Sequence, residues 1–247
     1  MNNRRKKTRI VGILGGMGPE ATSRFFELVV KNTEAKVDQE HLRIIVCNWP
    51  QIPDRTRAIL YGGENPVPLM LEGLRILEKA GVEIAAIPCM TAHYFLPQLK
   101  KKARLKLLDL ITETAGWTAA SFPEVKAVGL LATEGTVATG IFQKAFRRKK
   151  IEILTPSAGN QQKIMKAIYG EKGIKAGFSG SGAARLLREA ALELIQAGAG
   201  AIIAGCTEIP LALKQKHLPV PLIDPMLIGA RALVRKAGAV VRPQPVA

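Results

Sequence analysis

Aromatic residues make up only 5% of the 247-residue chain, and acidic residues are outnumbered 20 to 36 by lysine and arginine. With so few rings, stacking platforms for unpaired bases are scarce, which argues against a single-strand nucleic-acid binder. Cysteine is scarcer still, at three residues. An odd, small number makes no disulfide framework and fits free thiols in a reducing, cytoplasmic setting. No second cysteine or histidine stands close to any of them in a metal-ligand arrangement, so no metal site is expected. No apolar run approaches the length that crosses a membrane. Residues 1–16 imitate a signal peptide, with basic residues 4–7 ahead of apolar residues 10–14. That apolar part is short, broken by glycine and followed at once by Glu20 and Arg24, so no signal peptide is expected.

The net charge of +16 opens four readings: nucleic acid, an acidic membrane surface, an anionic substrate, or a solvated basic exterior. The basic clusters, at 4–7, 100–106 and 147–150, fall at helix ends and a terminus and form no single stripe. A solvated exterior is the favoured reading, and a nucleic-acid partner is not expected.

Against these absences stand 47% apolar residues and alternating strand and helix patterns, which indicate a globular α/β protein. Two stretches organise the pattern: Ile87-Pro88-Cys89-Met90-Thr91-Ala92-His93 and Ala204-Gly205-Cys206-Thr207-Glu208-Ile209-Pro210. Each cysteine follows a short apolar run that reads as a buried strand and precedes a polar turn into a helix. Each strand is introduced by a helix that stops at an Ala-Gly pair, as expected of a left-handed glycine at the helix end.

The spacing points to duplication. Gly81 to Gly198, Cys89 to Cys206 and Val11 to Val128 are each 117 residues apart, and Leu107 to Leu222 is 115. Two α/β halves follow, 1–118 and 119–247, with the helix over 225–237 free to pack back on the first. Such halves are expected to pack about a pseudo-twofold axis, with the two cysteines facing each other across the cleft.

The first half reads as a strand over 8–14, a glycine-rich turn, and a helix over 20–32 with Pro19 suited to its first position. The turn allows an anion to approach, but it is neither a phosphate loop nor a dinucleotide fingerprint. A strand over 43–48 carries Cys47, assigned to the core. The segment 49–56 reads as an ordered loop. In it Arg55 is either a fork for a carboxylate or the partner of Asp54 or Glu64. A helix over 68–80 precedes the first cysteine strand, and His93 stands where it polarises a thiol or caps a helix. A strand over 105–110 and a helix over 112–121 lead into the second half. There, strands are expected over 127–131 and 151–154, and helices over 137–146, 161–169, 184–197 and 225–236. The segment 172–182, with four glycines and Lys175, reads as a flexible lid. From Val240 the chain reads as a frayed tail.

Two thiols on opposite sides of a cleft suit a two-base proton transfer that inverts a stereocentre. One, as thiolate, removes a proton from a carbon acid; the other, as thiol, protonates the opposite face. A free cysteine titrates near roughly pH 8.5, and a helix N-terminus lowers that further.

The residues that carry this chemistry also resemble a known family. Residues 12–22 (GILGGMGPEAT), 38–41 (DQEH) and 50–56 (PQIPDRT), the segment around Cys89, and residues 129–136, 204–210 and 222–225 are similar to the aspartate/glutamate racemases. The resemblance spans about residues 8–237. It implies a cofactor-independent amino-acid racemase of two similar α/β domains, usually a homodimer, with Cys89 and Cys206 as the acid/base pair. It also implies that Arg55 and Lys175 hold the side-chain carboxylate, while Met17, Thr91, Thr133 and Thr136 line the part that holds the α-carboxylate and amine. Two positions depart from the pattern: Met90 and Trp49 stand where asparagine is common. A thioether donates no hydrogen bond, and losing a charge-assisted bond costs about 1.5–3 kcal/mol. Aspartate is the substrate the resemblance implies, and the two departures are what suggest an alternative. Glutamate or another amino acid in a reshaped pocket is the alternative, and a basic binding protein that has lost catalysis the more distant one.

Overall fold

The computed structural model describes residues 8–243; the basic cluster at 4–7 lies outside them. Two parallel four-stranded sheets make up the frame. The first contains β1 (Val11–Gly15), β2 (Ile44–Asn48), β3 (Ile84–Ala86) and β4 (Lys106–Leu107), in the order β2-β1-β3-β4. The second contains β5 (Ala127–Leu131), β6 (Glu152–Leu154), β7 (Ile202–Ala204) and β8 (Leu222–Ile223), in the order β6-β5-β7-β8. Parallel neighbours need crossovers, and helices supply them.

The duplication read from spacing extends to the hydrogen-bond register. Gly12 pairs with Ala85, and Gly129 pairs with Ile202, each residue 117 positions after its mate. Ala85 pairs with Leu107 and Ile202 with Leu222, which places the two-residue drift in the loop before the last strand of each sheet.

In the first half the helices are α1 (Pro19–Asn32), α2 (Arg55–Leu60), α3 (Val67–Lys79), α4 (Leu96–Lys102) and α5 (Leu110–Ser121). In the second they are α6 (Glu134–Ala138), α7 (Ile141–Arg147), α8 (Ala158–Tyr169), α9 (Ser181–Gln196), α10 (Ile209–Ala212) and α11 (Pro225–Ala237). α3 and α9 end by the same device: Gly81 (φ 81°) and Gly198 (φ 99°) turn left-handed. The amides of Val82 and Ala199 then reach back to the carbonyls of Leu77 and Leu194, at 3.1 and 2.9 Å.

Several elements differ from expectation. The segment 49–56 is a loop only as far as Asp54, whose carboxylate accepts from the Arg57 amide and starts α2. The single helix expected over 137–146 is two, broken at Gly140. Cys47 is half-buried because β2 is an edge strand. The tail is held as far as residue 242: Val241 bridges Thr33, and the Arg242 amide donates to the Asn32 carbonyl at 2.8 Å. The latter bond satisfies a carbonyl that the end of α1 leaves open.

Alternation along the strands divides the core. Val11 and Ile13 of β1 and Val128 and Leu130 of β5 share one central apolar cluster with Phe25, Phe142, Leu233 and Val234. Leu14 faces away into a second cluster with α3, and Leu131 into a third with α8 and α9. The two halves thus share a core as well as a cleft. α11, the last helix among the described residues, packs against α1 and α5. No helix of the described residues is long and apolar enough to cross a membrane.

Candidate active site

In each sheet the chain runs from its first strand outward to one side and then returns to the other, so the loops after β1 and β3, and after β5 and β7, diverge at the carboxyl ends. Such a divergence is where open α/β sheets bind ligands. It brings Met17 beside Cys89 in one half and Thr133 beside Cys206 in the other. All four are buried and line one chamber between the halves, together with Arg55, Met90, Thr91 and Lys175. Thr136 stands just behind, with Thr91 Oγ1 2.8 Å from its own hydroxyl. Thr91, Thr133 and Thr136 form a closed triangle of hydroxyls, its other sides 3.1 Å. The nine residues singled out in the sequence are therefore one constellation.

A cleft runs from the chamber to the surface past Gly18, Pro19, Glu20, Pro50 and Ile174. Met17, Arg55, Lys175 and Glu208 line both spaces and stand between them. Gly16 shapes this mouth: its φ is 93°, and a side-chain carbon there would lie 2.3 Å from the Trp49 backbone. Trp49 is not among the residues lining the chamber, so of the two departures from the family pattern only Met90 reaches the site.

Arg55 is a fixed charge. Its Nη1 donates to the carbonyls of Ile52 and Pro53 at 3.2 and 3.0 Å, and Nη2 donates to that of Met17 at 3.2 Å. Nε is buried with no partner in the protein. Among the described residues it makes no ion pair with Asp54 or Glu64, so the guanidinium keeps its charge for the chamber. Burial works against that charge, but Cys89 and Asp54 more than offset it, and its pKa lies above the ordinary value.

Lys175 has a partner that the sequence reading did not foresee. Its Nζ donates to Glu208 Oε1 at 2.7 Å and sits 5.5 Å from the centre of the Tyr169 ring. Burial opposes both charges, yet each stabilises the other, so the carboxyl is held below its usual range and the ammonium above. The other oxygen of Glu208 accepts from Cys206 Sγ at 2.9 Å and from Thr207 Oγ1 at 2.9 Å. Burial first, and the Glu208 charge second, push the Cys206 thiol well above its ordinary range. The expected lowering by helix N-termini is not what governs it. The element after Cys89 is a short 3-10 turn, Thr91–Phe95, and α10 has four residues, too few for much dipole.

His93 does not reach the thiol of Cys89. Leu110 N–H donates to His93 Nε2 at 3.1 Å, which leaves Nδ1 as the donor to the Cys89 carbonyl at 2.9 Å. The imidazole thus caps the start of α5 and fixes the backbone on which Cys89 rides.

Sequence reasoning missed three lining residues, Tyr169, Thr207 and Glu208. Tyr169 donates from Oη to Asp54 Oδ2 at 3.2 Å, joining the second half to the cap of α2. Nothing in its local sequence marks it, since it ends an ordinary helix. Glu208 was visible: it stands 117 residues after Thr91, at the same place in the repeat.

Two α/β lobes of the same strand order thus enclose a chamber lined by two thiols. Residues 14–233 match the model of the Asp/Glu/Hydantoin racemase family, and the chain belongs to that family. It is similar to the aspartate racemase of Picrophilus torridus, at 32% identity over 95% of this chain and 96% of that one, with a TM-score of 0.83. It is also similar to the broad-specificity amino-acid racemase RacX of Bacillus subtilis, at 27% identity over 91% of this chain and 96% of that protein. The glutamate racemase of Francisella tularensis shares the fold, with a TM-score of 0.65 at 18% identity, over 97% of this chain and 86% of that one.

Proposed function

We propose that the protein racemises aspartate, without a cofactor, by proton transfer between Cys89 and Cys206. One observation carries the reading: the cysteines leave equivalent strand ends and line a single chamber that also holds Arg55 and Lys175. In the step envisaged, one thiolate takes the Cα proton and becomes a thiol. The electron pair of the C–H bond passes into the α-carboxylate as an enediolate, and the opposite thiol protonates the other face. Arg55 and Lys175 are assigned to the side-chain carboxylate, and Thr91 and Thr133 to the α-carboxylate and amine. The likeness to the Picrophilus torridus enzyme supports aspartate.

A second reading, a wider or different amino-acid range, is favoured by Met90 in the wall and by Lys175 being already paired with Glu208. It is also favoured by the likeness to RacX. A cytoplasmic setting suits thiols that work reduced; the homodimer implied by the family resemblance is open to light scattering.

Solvent-deuterium exchange at Cα, followed by NMR on L- and D-aspartate, tests the reading. Exchange with inversion in the wild type, falling by about 10²–10⁴-fold in Cys89→Ser and Cys206→Ser, is the expected result. No exchange with aspartate, but exchange within a panel of other amino acids, moves the assignment to the second reading.

A further inference from the structure

The two cysteines sit in opposite electrostatic surroundings. Cys89 lies near the Arg55 guanidinium, which three backbone carbonyls hold in place. Cys206 instead faces a carboxylate, 2.9 Å from Glu208 Oε2. That carboxylate is 5% exposed and is held in the chamber wall by Lys175 and Thr207. The repeat makes the contrast sharper, because Glu208 takes the place that Thr91 has in the first half.

We propose that Glu208 is a positioning residue that makes the cysteine pair unequal: by accepting the hydrogen of the Cys206 thiol it keeps Cys206 protonated at rest, which leaves Cys89 as the resting base. The inference deepens the two-cysteine reading above and rests on it. A thiol donates one hydrogen and a carboxylate only accepts, so the bond at 2.9 Å exists only while Cys206 is protonated. Ionising Cys206 turns that contact into two adjacent negative charges. Lys175, from the 3-10 turn Ile174–Ala176, counters part of this, since its ammonium binds the far oxygen of the same carboxylate. The remaining ionisable groups on the chamber wall are Cys89 across the space, Arg55 beside it, and Tyr169 from α8. Glu208 thus connects the cationic residue at the mouth of the chamber to the protonation of the thiol inside it. A substrate carboxylate drawn to Lys175 competes with Glu208 for that ammonium.

The bland account is that Glu208 only anchors the Ile174–Ala176 turn to the wall. The two accounts separate on the pH profile of Cys206 alkylation by iodoacetamide, read by peptide-resolved mass spectrometry. In Glu208→Gln the midpoint for Cys206 should fall by about one pH unit or more, a tenfold gain in thiolate at a given pH. Lys175→Met should shift the Cys206 midpoint the other way, upward. Glu208→Asp, which keeps the charge, should return it toward the wild type. Loosening of the turn alone shifts both the glutamate and the lysine variants in one direction, and that result overturns the proposal. So does a Cys206 midpoint unchanged in folded Glu208→Gln. Should Glu208→Gln fail to fold, the test passes to the other two variants: a Cys206 midpoint raised in Lys175→Met and near the wild type in Glu208→Asp is expected, and an unmoved or lowered midpoint in Lys175→Met overturns the proposal. The readout needs no turnover: a failure here with normal deuterium exchange in the wild type removes Glu208 alone, whereas absent exchange removes the racemase reading.

Discussion

Thr91 and Glu208 hold the same position in the two repeats, each two residues after its cysteine, and they point their polar groups at different neighbours. Thr91 turns to the hydroxyls of Thr133 and Thr136 across the boundary between the halves. Glu208 turns to the thiol of its own cysteine and to Lys175. A near-symmetric frame therefore holds an asymmetric site.

The hydroxyl triangle is buried and joins residues from both halves, so Thr91→Val leaves Thr133 and Thr136 bonded to each other but removes both bonds that cross. Buried hydrogen bonds of this kind contribute about 0.5–1.5 kcal/mol each. Denaturant unfolding of Thr91→Val is expected to show a loss of about 1–3 kcal/mol. A loss under about 0.5 kcal/mol, the range of an ordinary surface change, would mean the triangle adds no stability.

His93 should make the fold sensitive to mild acid. Its pKa is lowered from the ordinary 6.5, first by burial and then by the Lys100 charge, against the pull of Asp109 and the Cys89 carbonyl. In the folded protein the ring therefore stays neutral, while the unfolded chain takes up a proton near its ordinary value. Stability is complete above about pH 6.5 and falls below it, by at most about 1.4 kcal/mol per pH unit for one group. Urea midpoints between pH 7 and pH 5 should decline in the wild type. The decline should be shallower in His93→Gln, which is less stable at pH 7 because the buried Leu110 amide loses its imidazole acceptor, although Asp109 still caps α5. Equal slopes would place the acid sensitivity elsewhere.

Met90 is 2% exposed and belongs to the central apolar cluster while also lining the chamber. Met90→Asn puts an amide where the family commonly has one, and at the same time into an apolar wall. The expected outcome is a split: a stability loss of about 1–3 kcal/mol together with a higher kcat/KM for acidic substrates. Loss of stability with no change in substrate preference would make the position one of packing only.

Much of this was legible because the features that carry it are local or periodic. The 117-residue spacing gave both cysteines, both glycine-ended helices and the common register of the sheets. The constellation of nine residues came from the family resemblance, and the structure brings all nine together. What escaped depended on contacts distant in sequence. The start of α2 required seeing Asp54 as a cap behind two prolines. Tyr169 is distinguished only by the Asp54 it meets 115 residues away. The pairing of Lys175 with Glu208 spans 33 residues and joins a lid-like segment to a strand end, which no periodicity encodes. The frayed-tail reading failed for the same reason, since Val241 is held by Thr33.

The packing of α11 bears on how the chain becomes a protein. Gly229 lies so close to Leu110 that a side-chain carbon there would stand 1.9 Å from Leu110 Cδ2, and Leu233 and Val234 complete the cluster that includes Phe25. The apolar face of the amino-terminal lobe is thus covered by residues more than a hundred positions further along the chain. Although the lobes are copies in topology, they are not equals in assembly: severing the chain between them strands a helix that the first lobe needs on the second. The two halves, alike in strand order, are completed by one shared core.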